Sequence, residues 1–173
     1  MFCVRVWKVF VAASRLNQLL VGWGFLRFRR ESSRGEDAVM GWGRSLAVAW
    51  GGYYARIFVN AAGEEAVEVK GELRRRLSVL KAPWGHIRNV VFEPAELYRA
   101  VRGDAPDLMA YFDSLRVRSV QTVGWESPWL EGNDRRPDDS LHSFNGFYAA
   151  TWGDARRRDI YALDVAGFLE RVL

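Results

Sequence analysis

The chain has 173 residues, 49% of them hydrophobic and 14% aromatic, enough for a packed core in one ordinary domain or two small ones and too apolar for disorder over most of its length. A single cysteine, Cys3, and two histidines, His86 and His142, exclude an internal disulfide framework, a cysteine-based zinc site and a His-rich metal centre, and fit a reducing cytoplasm. The net charge of +4 resides in residues 1–39, where seven basic residues face three acidic ones; the remainder is balanced, so affinity for nucleic acid has to come from local patches.

The apolar stretch from Phe2 to Phe28 is interrupted by Arg5, Lys8, Arg15, Asn17, Gln18 and Arg27, leaving no clean window of about 18 apolar residues for a membrane span. Its basic cluster, Arg27 to Arg30, follows the apolar run, the reverse of a secretory signal. Aromatics at Phe2, Trp7, Phe10, Trp23 and Phe25 would suit a basic amphipathic anchor at a lipid boundary. The favoured expectation is plainer: residues 1–39 are a leader outside the fold, and translation begins at Val39 or Met40. Gly35-Glu36-Asp37 is compatible with purine-rich codons of ribosome-binding character just upstream.

Residues 40–88 read as a small N-terminal unit. Alternation and turn residues predict strands over Leu46–Trp50, Tyr53–Val59 and Ala66–Lys70, with Gly51-Gly52 and Asn60 to Gly63 as turns. Leu73, Leu77 and Leu80 fall at helical intervals and predict a helix over Glu72–Leu80, with Arg74, Arg75 and Arg76 on its solvated side. Pro83-Trp84-Gly85 then breaks the chain.

Residues 89–173 read as a second, α/β unit. Pro94 starts a helix that ends at Gly103, and Pro106 starts another with Leu108, Met109, Phe112 and Leu115 inward. Val117–Val123 alternates as a strand. A polar, tryptophan-bearing loop, Gly124–Ser140, leads to a strand over Phe144–Trp152, and Asp164 caps a last helix that buries Val165, Phe168, Leu169 and Val172. The fold class is therefore mixed α/β, of the α+β kind.

Motifs for chemistry are sparse. Glu68-Val69-Lys70 matches the E-x-K half of metal-dependent nucleases, in which carboxylates hold Mg²⁺ and a lysine steadies the attacking water. No Asp or Glu lies between Met40 and Gly63 to supply the upstream ligand, so exposed charge alternation on an edge strand is the better explanation. There is no G-x-S-x-G elbow, and the glycines of Gly41-Trp42-Gly43 lack the lysine and helix entry of a phosphate loop. Asp138-Asp139 beside Arg135-Arg136 reads as a solvated ion-pair cluster. His142, after a polar loop and before a strand, is the one titratable group placed to act as a general acid, although a strand-end histidine is the simpler reading.

Features for nucleic acid are local. Arg74 to Arg76, Arg116 with Arg118, Arg135 with Arg136, and Arg156, Arg157 and Arg158 offer guanidiniums for phosphates, and Trp125 and Trp129 offer indoles for unpaired bases. Solvated faces and buried tryptophans explain the same residues equally well.

The order of these elements resembles the C-terminal domain of archaeal tRNA-splicing endonucleases. The resemblance runs through Phe92 to Tyr98 as an early helix, Phe112 to Arg118 running into Ser119 to Gly124, His142 ahead of Phe147 to Thr151, and Leu163 to Arg171 as the following helix. It implies a restriction-endonuclease-like α/β unit at 89–173, a looser N-terminal counterpart at 40–88, and metal-free cleavage of precursor tRNA by a tyrosine base, a histidine acid and a lysine, with no cofactor. Here only His142 has a counterpart. No tyrosine lies between Tyr111 and Tyr148, and no lysine follows Lys81. The resemblance therefore implies the structural, non-catalytic subunit, paired with a catalytic subunit in a hetero-oligomer and contacting precursor tRNA at its bulge-helix-bulge, with no role at a membrane.

Overall fold

The structure, a computed structural model, describes residues 12–29, 39–85, 87–131 and 144–145. It is a mixed α/β fold built on a seven-stranded sheet. The strands are β1 (Ala12–Arg15), β2 (Ala47–Trp50), β3 (Ala55–Val59), β4 (Asn89–Phe92), β5 (Leu108–Phe112), β6 (Val117–Val120) and β7 (Trp129–Glu131). Their order is β2-β3-β5-β6-β1-β7, with β4 also paired to β5. The helices among the described residues are α1 (Leu16–Gly22), α2 (Gly63–Ser78) and the single turn α3 (Pro94–Leu97).

The β2–β3 hairpin forms where expected, in antiparallel register from Ala47 opposite Val59 to Trp50 opposite Arg56. Gly51 is required in its turn, because a Cβ there would run into the Tyr54 carbonyl. The strand expected over Ala66–Lys70 is instead part of α2. Over five residues its alternation fits either period, but the longer window decides. Val69, Leu73 and Leu77 recur every four residues and form the buried stripe, while Val67 is exposed. Glu64 and Glu65 in the first turn favour the helix start through the backbone dipole.

The helix expected from Pro106 is also replaced, by β5. Leu108, Met109 and Ala110 are buried in succession, and β5 is paired on its edges by β3 and β4, as a central strand is. Asp107 pins its start: its carboxylate accepts the Val59 N–H and its own N–H donates to Ile57 O, both at 2.8 Å. The helix expected from Pro94 to Gly103 stops after one turn. Glu93 and Glu96 form a capping box with Pro94 behind it, but Leu97 and Val101 remain exposed, so no apolar face is buried to extend the helix.

β5 passes to β6 through Asp113, Ser114 and Leu115, all with left-handed backbone angles (φ 46°, 55° and 71°). Only Phe112 and Val117 pair across the turn. β6 then departs toward the β2–β3 connection, where Arg118 and Gln121 donate to the carbonyls of Gly52 and Gly51.

Residues 12–29, expected to lie outside the fold, supply β1 and α1. β1 sits between β6, to which it is parallel, and β7, to which it is antiparallel. Leu16, Leu20, Phe25 and Leu26 join Ile57, Leu73, Leu77, Leu108 and Phe112 in one buried cluster. Trp23 packs against that cluster too, so two of the aromatics considered for a lipid boundary contribute to packing. The sheet thus crosses both boundaries expected at 39/40 and 88/89. No helix among the described residues is long and apolar enough to cross a membrane.

Candidate nucleic-acid interface

β1 and β6 run side by side in the same direction and end together at Arg15 and Val120. The chain beyond β6 folds back over this end as a loop, Gln121 to Pro128, that returns into β7. Polar groups of the β1–α1 junction fasten it. The Gln18 side-chain carbonyl accepts the N–H of Gly124 at 2.9 Å and of Trp125 at 3.2 Å. Arg15 donates its backbone N–H to Pro128 O at 2.7 Å and a guanidinium N–H to Ser127 O at 2.8 Å. The Ser127 hydroxyl closes a small turn with Trp129 N–H and O, both at 3.1 Å.

The result is a presented indole. Trp125 is 47% exposed, and the Arg15 guanidinium carbon lies 4.7 Å from its ring centroid. A flat, half-exposed ring with a cation at its face suits stacking of an unpaired base beside a phosphate. Arg15 and Gln18 escaped the sequence reading because their contacts span more than a hundred residues. Their only signal was that they interrupt the apolar run of the first thirty residues.

The remaining candidates separate. Arg116 is exposed, just past the left-handed turn. Arg118 has to be withdrawn as a phosphate ligand: it is 3% exposed, donates to Gly52 O at 3.1 Å, and its guanidinium carbon lies 5.2 Å from the Tyr53 ring centroid. Trp129 is withdrawn as a stacking platform, since it packs edge-on against Trp84 at 5.3 Å and both rings adjoin the core. Arg135, Arg136, Arg156, Arg157, Arg158 and His142 lie outside the described residues.

No family model, curated protein or solved structure matches the chain. Its function therefore has to be argued from its own side chains.

The arginine triplet on α2 is already engaged. Arg75 and Arg76 bind Glu72 at 2.8 and 2.6 Å, and Arg74 binds Glu96 at 2.8 Å. The Arg75 and Arg76 hydrogen bonds hold the Glu72 carboxyl down at about 2, and that of Arg74 holds Glu96 below the usual carboxylate range. The E-x-K residues do not form a metal site either. On α2, Glu68 and Lys70 are two positions apart and project roughly 200° from each other. Glu68 is exposed, whereas Lys70 reaches Glu93 at 3.0 Å. Among the described residues no three His, Cys, Asp or Glu side chains gather as a metal would require.

Proposed function

We propose that this chain is an RNA-binding, non-catalytic subunit of a tRNA-splicing endonuclease, acting in the cytoplasm beside a catalytic subunit and helping to recognise the precursor. The enzyme type comes from the order of residues 92–171, with one residue of the catalytic set at His142 and no counterpart for the tyrosine or the lysine. The observation that carries the RNA-binding part is Trp125, about half exposed beneath Arg15 on a loop fixed by hydrogen bonds to Gln18 and Arg15. A fixed loop holds the indole in place before RNA arrives, so little ordering entropy is lost on binding.

The test is a titration of the isolated chain with a bulge-helix-bulge RNA, followed by co-purification with a catalytic homologue that bears the tyrosine, histidine and lysine. Trp125→Ala is expected to weaken RNA binding about tenfold, the loss of one stacked base, while circular dichroism stays unchanged because the ring is at the surface. The isolated chain is expected to leave the RNA intact. Cleavage by the chain alone would sink the non-catalytic reading, and cleavage that needs Mg²⁺ and disappears in Lys70→Ala would return the case to Glu68 and Lys70.

A further inference from the structure

A second surface on the sheet combines aromatic rings with unneutralised arginines. Asn89 donates to Leu77 O and Leu80 O at the end of α2, so its face of β4 meets that helix. Val90 and Phe92 therefore take the opposite face. Register places Arg56, Met109 and Phe92 in one row of that face, and Tyr111 beside Val90 in the next. Tyr54 stacks on Tyr111 at 5.1 Å and 20°, and Phe92 meets Tyr111 edge-on at 6.2 Å. Tyr98, 53% exposed, lies near enough for its phenol to act on that of Tyr111, which burial first, then Tyr98 and Tyr54, push up to about 12.

The charge beside these rings is positive. Tyr98 begins an exposed segment that carries Arg99 and Arg102, neither of which forms an ion pair among the described residues. The carboxylates immediately before them, Glu93 and Glu96, are held by Lys70 and Arg74. One exposed ring, Tyr98, and the half-buried rings of Tyr54, Phe92 and Tyr111, with the guanidiniums of Arg99 and Arg102 free of ion pairs among the described residues, match an anionic polymer with flat, unpaired bases. Phe144, 61% exposed, lies against Tyr111 at 5.2 Å, so beside the packed Tyr54–Tyr111 pair it is Tyr98 that presents the open ring.

We propose that the face formed by Tyr54, Phe92, Tyr98 and Tyr111 stacks unpaired bases of single-stranded RNA, with Arg56, Arg99 and Arg102 taking the phosphates. The proposal rests on the RNA-binding reading and adds a second contact, away from Trp125. Its test uses the full chain and a ten-nucleotide oligouridine bearing 5-iodouridine. Tyr98→Ala is expected to weaken binding at least fivefold, and crosslinks are expected on peptides holding Tyr98 or Tyr111. Arg99→Ala with Arg102→Ala should reduce the slope of log affinity against log salt by about 1.4, at roughly 0.7 per phosphate contact.

If Trp125→Ala weakens binding and these variants do not, this second contact is overturned while the RNA-binding reading stands. Absence of binding to both the oligouridine and the bulge-helix-bulge RNA at low salt overturns both. Crosslinks confined to the loop around Trp125 overturn the second contact alone.

Discussion

Asn17 shows how much one side chain decides in this fold. It is fully buried, and its amide does the work of a strand partner. It accepts the Ala49 N–H at 2.7 Å and donates to Ala49 O at 2.9 Å and Gln121 O at 3.0 Å. One residue thereby ties β2 to the chain leaving β6, and Gln18 beside it holds Trp125. Asn17→Ala would leave one backbone donor and two carbonyls of the interior without this partner, and at about 1–3 kcal/mol for a buried unsatisfied group it is expected to cost at least about 2 kcal/mol. Urea denaturation followed by tryptophan fluorescence measures this; an unchanged midpoint would contradict the bonding seen. In the sequence, Asn17 registers only as a polar break in an apolar run, because the groups it serves lie 32 and 104 residues away. Trp125 was legible as a candidate since an indole in a polar loop is conspicuous. Its companion Arg15 was not, and the difference between Arg116 and Arg118 depends on where the strand begins, since Arg116 closes the turn ahead of β6 and Arg118 lies within it.

At the scale of elements, legibility follows the length of the pattern. The β2–β3 hairpin, with two glycines between apolar alternations, could be read directly, whereas the five residues Ala66 to Lys70 satisfy both periods and Leu108 to Phe112 satisfies the helix spacing while lying in a central strand. What separates these cases is tertiary: α2 is helical because Val69, Leu73 and Leu77 have a sheet to cover. Its outer face is stabilised differently, by Glu72 with Arg75 and Arg76 one turn on, and Arg76 in turn lies 5.6 Å from the ring centroids of Trp23 and Phe25. Because folding lowers the Glu72 carboxyl from its ordinary 4.5 to about 2, the folded state favours the ionised form. That contribution is present above pH 4.5 and is lost as pH falls toward 2. Glu72 faces solvent, so the effect is expected to be small and to shrink in high salt. Melting temperature measured between pH 5 and 2 should fall less steeply in Glu72→Gln than in the parent chain; parallel curves would remove Glu72 as a cause of acid sensitivity.

For the molecule as a whole, the first segment is the test of the architecture. If β1 and α1 are structural, a protein beginning at Met40 loses Leu16, Leu20, Phe25 and Leu26, each 9% exposed or less. At about 1.5–3 kcal/mol per large apolar side chain, this removes roughly 6–12 kcal/mol, comparable to the roughly 5–15 kcal/mol that holds an ordinary domain folded. The truncation also strips β6 and β7 of the strand between them and leaves two open edges, which invite association. The shortened chain is therefore expected to lose its cooperative urea transition and to aggregate, whereas the full chain unfolds in one step. A cooperative transition at an unchanged midpoint would show that the core closes without β1. The same deletion bears on function, because Arg15 and Gln18 leave with it. RNA binding by a truncated chain that still folded would then assign recognition to the tyrosine face rather than to Trp125, since only the loop depends on the residues removed.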